Sequence, residues 1–191
     1  MSIIHFAKIE LAAAIARGVR QCVVIGSPPL LCEALKNSPD QTLHVFAVDE
    51  DQLSDLPATF VPTQFASETL GAALEKSEFD KLKASLFVWL GGAGYRTVEA
   101  AVASFAFIAS LPRGSGVLLD YAVERSSLGS LTHSALDALT SRISVAGSSV
   151  KYLIQPSAVA AMLRNVGFQQ IEDRQQEEPP LSGGHLVSAV V

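Results

Sequence analysis

The feature that most limits the fold of this chain is a regular alternation of short apolar runs with longer stretches of helical periodicity. Runs rich in β-branched and aromatic residues predict seven strands, and the stretches between them predict helices. Strands that alternate with helices imply a parallel sheet covered on both faces. The predicted strands cover residues 22–26, 43–49, 58–65, 86–92, 114–122, 168–174 and 185–191. The predicted helices cover residues 3–17, 30–37, 67–77, 97–111, 134–147 and 156–167.

The link between the last two predicted strands breaks this alternation. Only "QQEEPPLSGG" separates Arg174 from His185, and it is too short and too rich in proline and glycine for a crossover helix. The final strands should therefore pair antiparallel. We predict an α/β fold with a doubly wound, mostly parallel seven-stranded sheet and an antiparallel C-terminal strand. This architecture resembles the Rossmann-like class I S-adenosylmethionine-dependent methyltransferases.

Composition excludes several classes of protein. The chain of 191 residues suits one domain, residues 1–191, with residues 1–18 as a helix on or beside its core. Hydrophobic residues make up 49% and charged residues 17%, which excludes a disordered chain. A net charge of −5 with scattered Lys and Arg predicts no nucleic-acid partner, and the apolar runs are too short for a membrane span. Lys8 and Glu10 interrupt the N-terminal apolar run, so we expect a cytoplasmic protein rather than a secreted one.

A single glycine follows the first predicted strand, in "CVVIGSPPLLCEAL". In an open α/β sheet, ligands bind beyond the carboxyl ends of the strands. Gly26 would permit a tight turn there, and Ser27 and the helix that follows would present backbone N–H groups to a cofactor. Pro28 and Pro29 lack an N–H and remove two donors from that cradle. The alternative is that both prolines simply begin the helix.

The second and third predicted strands end in polar side chains. Asp49 ends the second strand, where a carboxylate can accept both ribose hydroxyls of an adenosine cofactor, and Glu50 lies beside it. The alternative is a solvated acidic turn of Asp49, Glu50 and Asp51. After the third strand, Gln64 could hydrogen-bond an adenine amino group and Phe65 could pack on the ring. The alternative is a core phenylalanine beside an exposed amide.

The fourth predicted strand runs into "WLGGAGYRT". Leu90 is a candidate lining residue of the cofactor site, and Tyr95 and Arg96 could orient a substrate, although surface positions fit them equally well. The glycine order matches neither a dinucleotide loop nor a P-loop.

Other chemistries receive little support from the sequence. His5, His44, His133 and His185 are dispersed and lack the spacing of metal ligands, so no metal is expected. Tyr121, at the end of the fifth strand, fits a structural role. No residue stands out as a catalytic group.

Long blocks of the sequence resemble one family. The segments "ARGVRQCVVIGSPPLLCEAL", "LHVFAVDEDQ", "FVPTQF", "FDKLKASLFVWLGGAGYRTVEAAVASFAFIASLPRGSGVLLDYAV" and "GGHLVSAVV" are similar to the leucine carboxyl methyltransferase family, and more closely to its bacterial S-adenosylmethionine-dependent O-methyltransferases. The resemblance implies S-adenosylmethionine as cofactor and a small-molecule or carboxylate acceptor. It also implies that Asp49 occupies the position of the family's conserved strand-two acid.

The chain departs from this family at the cofactor positions. The family reads Gly-Ala-Gly-x-Asp-Thr-Arg after the first strand, where this chain keeps only Gly26. The family's Thr-Asp-Phe is Thr63, Gln64 and Phe65, so an acid has become an amide. Two hypotheses follow: an O-methyltransferase with an altered cofactor loop, or a degenerate, non-catalytic member that binds a partner or a different small ligand. In the second case, the apolar face of residues 3–15 could form a homodimer contact.

Overall fold

The computed structural model describes residues 3–26, 42–51, 58–90, 98–122, 156–175 and 184–191. Its seven strands are β1 (Gln21–Ile25), β2 (His44–Asp49), β3 (Thr59–Pro62), β4 (Ser85–Trp89), β5 (Gly116–Ala122), β6 (Gln170–Gln175) and β7 (Gly184–Val190). Four helices are described: α1 (Ile3–Ala16), α2 (Leu70–Leu74), α3 (Val98–Ala109) and α4 (Pro156–Val166). All seven predicted strands are present. The helices predicted over 30–37 and 134–147 lie outside the described residues.

The strands form one sheet in the order β3-β2-β1-β4-β5-β7-β6. Neighbours from β3 to β5 are parallel, whereas β7 pairs antiparallel with both β5 and β6. The prediction of a mostly parallel seven-stranded sheet with antiparallel final strands is therefore confirmed. The short link after β6 makes β7 its antiparallel neighbour, and β7 lies inside the sheet with β6 at its edge.

Side chains of the central strands are buried on both faces of the sheet. Every residue of β1 is buried, as expected for a parallel strand between two layers of helices. Val23 and Ile25 face the layer that contains α2, α3 and α4, and the alternate residues Cys22 and Val24 face the layer that contains α1. The strand period of two thus divides one apolar run between two cores.

Helix α1 packs on one face of the sheet. Phe6, Leu11 and Ala14 are buried against β1, β4 and β7. The helix is also bound by polar contacts, since Ser188 Oγ on β7 donates to Glu10 Oε2 at 2.9 Å. Arg174 on β6 lies 3.7 Å from the other oxygen of Glu10.

Helix α2 is shorter than the predicted 67–77. Thr69 begins it as the N-cap, with its Oγ1 accepting the N–H of Ala72 at 3.3 Å. The prediction placed the start three residues before Leu70, because Ser67 instead donates its N–H to the carbonyl oxygen of Gln64 in the turn after β3. Periodicity alone does not distinguish this turn from a first helical turn.

Hydrogen bonds between side chains and backbone join β1 and β4 at the amino edge of the sheet. Gln21 is 3% exposed, and its amide nitrogen donates to the carbonyl oxygen of Asp80 at 2.9 Å and to Ser85 Oγ at 3.0 Å. Its amide oxygen accepts the N–H of Asp80 at 2.9 Å. This edge is therefore fixed by buried polar contacts.

Candidate functional site

Gly26 and Asp49 are neighbours at the carboxyl edge of the sheet. Gly26 follows β1 with φ of 71°, a conformation that favours glycine. Its N–H donates to the carbonyl oxygen of Val48 at 2.9 Å, which extends the β1–β2 pairing to the last residue before Asp49. The glycine turn therefore lies beside the acid that ends β2. Because the Gly26 N–H is used inside the sheet, any amide cradle would have to come from later residues.

The Asp49 carboxylate is half-buried at this edge. One oxygen, Oδ1, accepts the N–H of Glu50 at 2.7 Å, and the carbonyl oxygen of Asp49 accepts the N–H of Thr63 at 3.0 Å. The bond from Glu50 fixes the direction of the carboxylate, whose second oxygen, Oδ2, can act as a further acceptor. Glu50 itself is exposed. The position suits an acceptor of ribose hydroxyls.

The residues after β3 have two different environments. Gln64 is exposed, and its backbone carbonyl oxygen accepts the N–H groups of Ser67 and Glu68 at 2.9 Å each. Phe65 is only 6% exposed and belongs to the core beneath α2 and α3. Its side chain packs inside the protein, so a role on an adenine face stays a prediction that this burial does not favour.

A short polar network holds the turn after β3, and the sequence analysis did not identify it. Thr63 Oγ1 donates to Glu68 Oε2 at 3.4 Å, and Lys76 Nζ lies 2.5 Å from Glu68 Oε1. The hydrogen bond and the positive charge of Lys76 lower the pKa of the Glu68 carboxyl. This network positions the segment that carries Gln64.

The remaining predicted site residues differ in position. Leu90 is 1% exposed and packs in the layer under α1, so its side chain contributes to the core. Ser27, Tyr95 and Arg96 lie outside the described residues, and their roles stay predictions.

Three side chains from β5, β6 and β7 form a second polar cluster at the carboxyl edge. Tyr121 Oη donates to Asp173 Oδ2, and His185 Nδ1 lies 2.5 Å from Asp173 Oδ1. The rings of Tyr121 and His185 are 5.2 Å apart between centroids. Desolvation, followed by the hydrogen bond and charge of Asp173, raises the pKa of the Tyr121 hydroxyl. Spacing in the sequence did not reveal this cluster, because only the strand pairing brings its members together.

In the part of the chain that the structure describes, no three His, Cys, Asp or Glu side chains cluster as metal ligands would. None of the described helices has the length and apolar character needed to cross a membrane.

A scan against protein-family models and a search of curated proteins by sequence find no match. Solved structures do match. A candidate methyltransferase from Thermobifida fusca is 13% identical, with a TM-score of 0.71 over 98% of this chain and 77% of that one. A SAM-dependent methyltransferase from Archaeoglobus fulgidus is 12% identical, with a TM-score of 0.58 over 98% and 94%.

A third match is the magnesium protoporphyrin IX methyltransferase of Synechocystis, solved with bound SAH. It is 14% identical, with a TM-score of 0.52 over 98% of this chain and 82% of that one. At these identities the comparisons establish a shared fold. The chain therefore has the class I, Rossmann-like methyltransferase fold that the sequence predicted.

Proposed function

We propose that this chain is an S-adenosylmethionine-dependent O-methyltransferase acting on a small-molecule acceptor. The observation that carries the proposal is the pairing of the Gly26 turn with the half-buried Asp49 carboxylate at the carboxyl edge of a methyltransferase-type sheet. The finer assignment, to the leucine carboxyl methyltransferase-like family, rests on the sequence segments quoted above. We also propose a cytoplasmic location.

The residues at this edge fit the adenosine part of the cofactor. Gly26 has no Cβ at the turn, so a ligand can approach its backbone closely. Asp49 has one oxygen fixed by the Glu50 N–H, which orients the other toward a partner. Gln64, exposed after β3, offers an amide for the adenine amino group. When bound, S-adenosylmethionine supplies an electrophilic methyl group on a sulfonium.

The chain's own contribution to the reaction would be binding and orientation. Asp49 would fix the ribose, and the carboxyl ends of β4 and β5 would hold the acceptor oxygen in line with the methyl group. Rate acceleration would come mainly from proximity and from exclusion of water. Leu90 and Phe65, both buried, would support the floor of the site rather than contact polar groups.

A second candidate function is a degenerate methyltransferase-like binding module. Two observations favour it: the Gly26 N–H is already bonded to Val48, and Pro28 and Pro29 offer no N–H. Such a module would act through a partner, and we propose a second copy of the chain. The apolar face of α1, which the sequence offered for this contact, is buried against the sheet, so the contact would use the outer side of the helix, where Ile9 is 42% exposed.

Titration calorimetry with S-adenosylmethionine and S-adenosylhomocysteine separates the two functions. The enzyme should bind both ligands with measurable heat and a rise in melting temperature. If millimolar ligand gives neither heat nor a thermal shift, the enzyme proposal is wrong and the binding module stands. Light scattering of the same sample reports whether the chain is a dimer.

A further inference from the structure

The cluster of Tyr121, Asp173 and His185 has the arrangement of a proton-accepting site. The Asp173 carboxylate accepts a hydrogen bond on each oxygen, one from Tyr121 Oη and one from His185 Nδ1. Because a carboxylate can only accept, Nδ1 must carry the imidazole proton. In the neutral form of the ring, the second nitrogen of His185, Nε2, then carries the lone pair. A carboxylate that fixes an imidazole in this tautomer prepares it to take a proton.

Tyr121 holds Asp173 in place as a hydrogen-bond donor and does not itself accept a proton from the acceptor. Burial and the neighbouring carboxylate raise the pKa of the Tyr121 hydroxyl, which therefore stays a donor at neutral pH. The side chains of His185 and Asp173 are 17% and 21% exposed. The imidazole is therefore mostly enclosed but still reachable.

The cluster lies at the same edge of the sheet as Gly26 and Asp49. Tyr121 is the next-to-last residue of β5 and pairs with His185 near the start of the antiparallel β7. Both are therefore at the carboxyl edge of the parallel strands. Four strand spacings separate β2, which ends in Asp49, from β7, which begins beside His185, about 19 Å. That span leaves room for a sulfonium and a small acceptor between Asp49 and His185.

Aromatic side chains line the sheet face next to the cluster. Trp89, the last residue of β4, has its ring 5.4 Å from that of Phe105 on α3. Trp89 and Tyr121 both pack on the face of the sheet that α3 and α4 cover. A flat aromatic acceptor would find stacking partners there, beside the imidazole.

Other charged groups near the cluster point elsewhere. Glu172 and Arg174 pair with each other on the α1 face of the sheet, where Arg174 also reaches Glu10 and the ring of Phe6. Strand alternation places Asp120 on that face too. On the helices that cover the Tyr121 face, Glu99 and Arg164 are exposed.

We propose that His185 is a catalytic base for methyl transfer to a phenolic hydroxyl, with Asp173 as its positioning residue. This inference rests on the proposed function. The phenol oxygen attacks the methyl carbon, an O–C bond forms, and the C–S bond breaks with its electron pair passing to sulfur. The phenol proton moves to His185 Nε2 and then to water. The products are a methyl aryl ether and the neutral thioether.

The chemistry of the acceptor decides between a phenol and a carboxylate. A carboxylic acid is already ionised at pH 7 and gains nothing from a base. A phenol, with a pKa near 10, is protonated at pH 7, and a positioned imidazole is worth roughly 10² to 10⁴ in rate. A partly enclosed His–Asp pair beside aromatic side chains therefore matches the phenol.

The first experiment follows His185 without any cofactor. In ¹⁵N-histidine-labelled protein, the His185 signals should show a protonated Nδ1 and an unprotonated Nε2. Addition of phenol should shift the Nε2 resonance, whereas benzoate should not. A protonated Nε2 tautomer, or an equal response to benzoate, would overturn the proposal even if the variants below fail to fold.

The second experiment measures methyl transfer from radiolabelled S-adenosylmethionine to matched phenols, benzyl alcohols and benzoates. Phenols should be labelled in a base-stable form. His185→Gln should lower the rate at least 100-fold with cofactor affinity within twofold of wild type. Its rate should rise continuously with pH, whereas the wild type should reach a plateau. Asp173→Asn should also lower the rate of methyl transfer.

His44→Gln is the matched control, because His44 lies on β2 at the opposite edge of the sheet, and its rate should equal the wild type. The proposal is overturned if benzoates alone are labelled, if His185→Gln transfers at the wild-type rate, or if a chain that binds S-adenosylmethionine labels none of the phenols. Failure of the proposed function is distinct, because it appears as absent cofactor binding.

Discussion

The carboxyl edge of this sheet has two sides that were assembled in different ways. The β1–β2–β3 side (Gly26, Asp49 and Gln64) uses residues that lie at a strand end or within two positions of one, so they can be identified from the order of the chain. The β5–β7–β6 side (Tyr121, Asp173 and His185) joins residues 52 and 12 positions apart through antiparallel pairing. Site residues on the first side can be predicted from where the strands end. Those on the second side can be found only when the register between the strands is known.

Asp49→Ala is the strongest test of the β1–β2–β3 side. Removal of the carboxylate should weaken S-adenosylmethionine binding at least 100-fold, roughly 2.7 kcal/mol. The free energy of unfolding should change by less than about 0.5 kcal/mol, because the side chain is half-buried at an edge. Calorimetry and urea unfolding measure the two effects. The exposed Asp51→Ala is the control, and equal losses in both variants would show that the cofactor lies elsewhere.

Gly116→Ala tests whether the β5–β7–β6 side depends on close strand approach. A Cβ at Gly116 would lie 2.6 Å from the carbonyl oxygen of Ala189, so β5 and β7 would have to separate. We expect a loss of about 2 kcal/mol in unfolding free energy, in the range for overpacking. Binding of S-adenosylmethionine to the folded fraction should be unchanged. A parallel loss of affinity would mean that the two sides are coupled.

Tyr121→Phe removes one hydrogen bond from the same side. The expected loss is about 1 kcal/mol at pH 7, since a hydroxyl-to-carboxylate bond is lost and the ring remains. The raised pKa of Tyr121 fixes the pH dependence: its contribution is complete below the unfolded value near 10 and declines as pH rises above it. The difference in unfolding free energy between the wild type and Tyr121→Phe should therefore shrink as pH rises from 7 to 11. A difference that stays constant with pH would contradict this.

Lys76→Ala has the smallest expected effect. Lys76 is 71% exposed, so its ion pair with Glu68 should contribute less than about 0.5 kcal/mol. Because Lys76 lowers the pKa of Glu68, this contribution is present above the unfolded value near 4.3 and is lost as pH falls below it. Lys81→Ala, whose pair with Glu75 is longer at 3.7 Å, is the control. The free energies of unfolding of the two variants should differ at pH 7 and become equal at pH 3.

The sequence was a good guide to the fold for physical reasons. A parallel strand buried on both faces must be apolar throughout, as "CVVI" and "LFVW" are. The proline- and glycine-rich link before His185 allowed only an antiparallel return. Helix starts were less predictable, because Ser67 fits a turn and a helix equally well and tertiary context decided between them.

The candidate site was predictable only in part. Asp49 was identifiable because strand ends converge on one edge, but the burial of Phe65 and Leu90 in two different layers depended on side-chain direction. His185 looked isolated in the sequence, with no acid at a spacing typical of a site. Its partner Asp173 is found only when β6 and β7 are set in register.

The two outer strands of the sheet have a consequence for the handling of the protein. At one border β3 has only four residues and ends in Pro62, and at the other β6 reads "QIEDRQ" and is almost entirely exposed. Short, proline-terminated or charged borders discourage a neighbouring molecule from adding a strand. Concentrated samples should therefore resist fibril growth from either border.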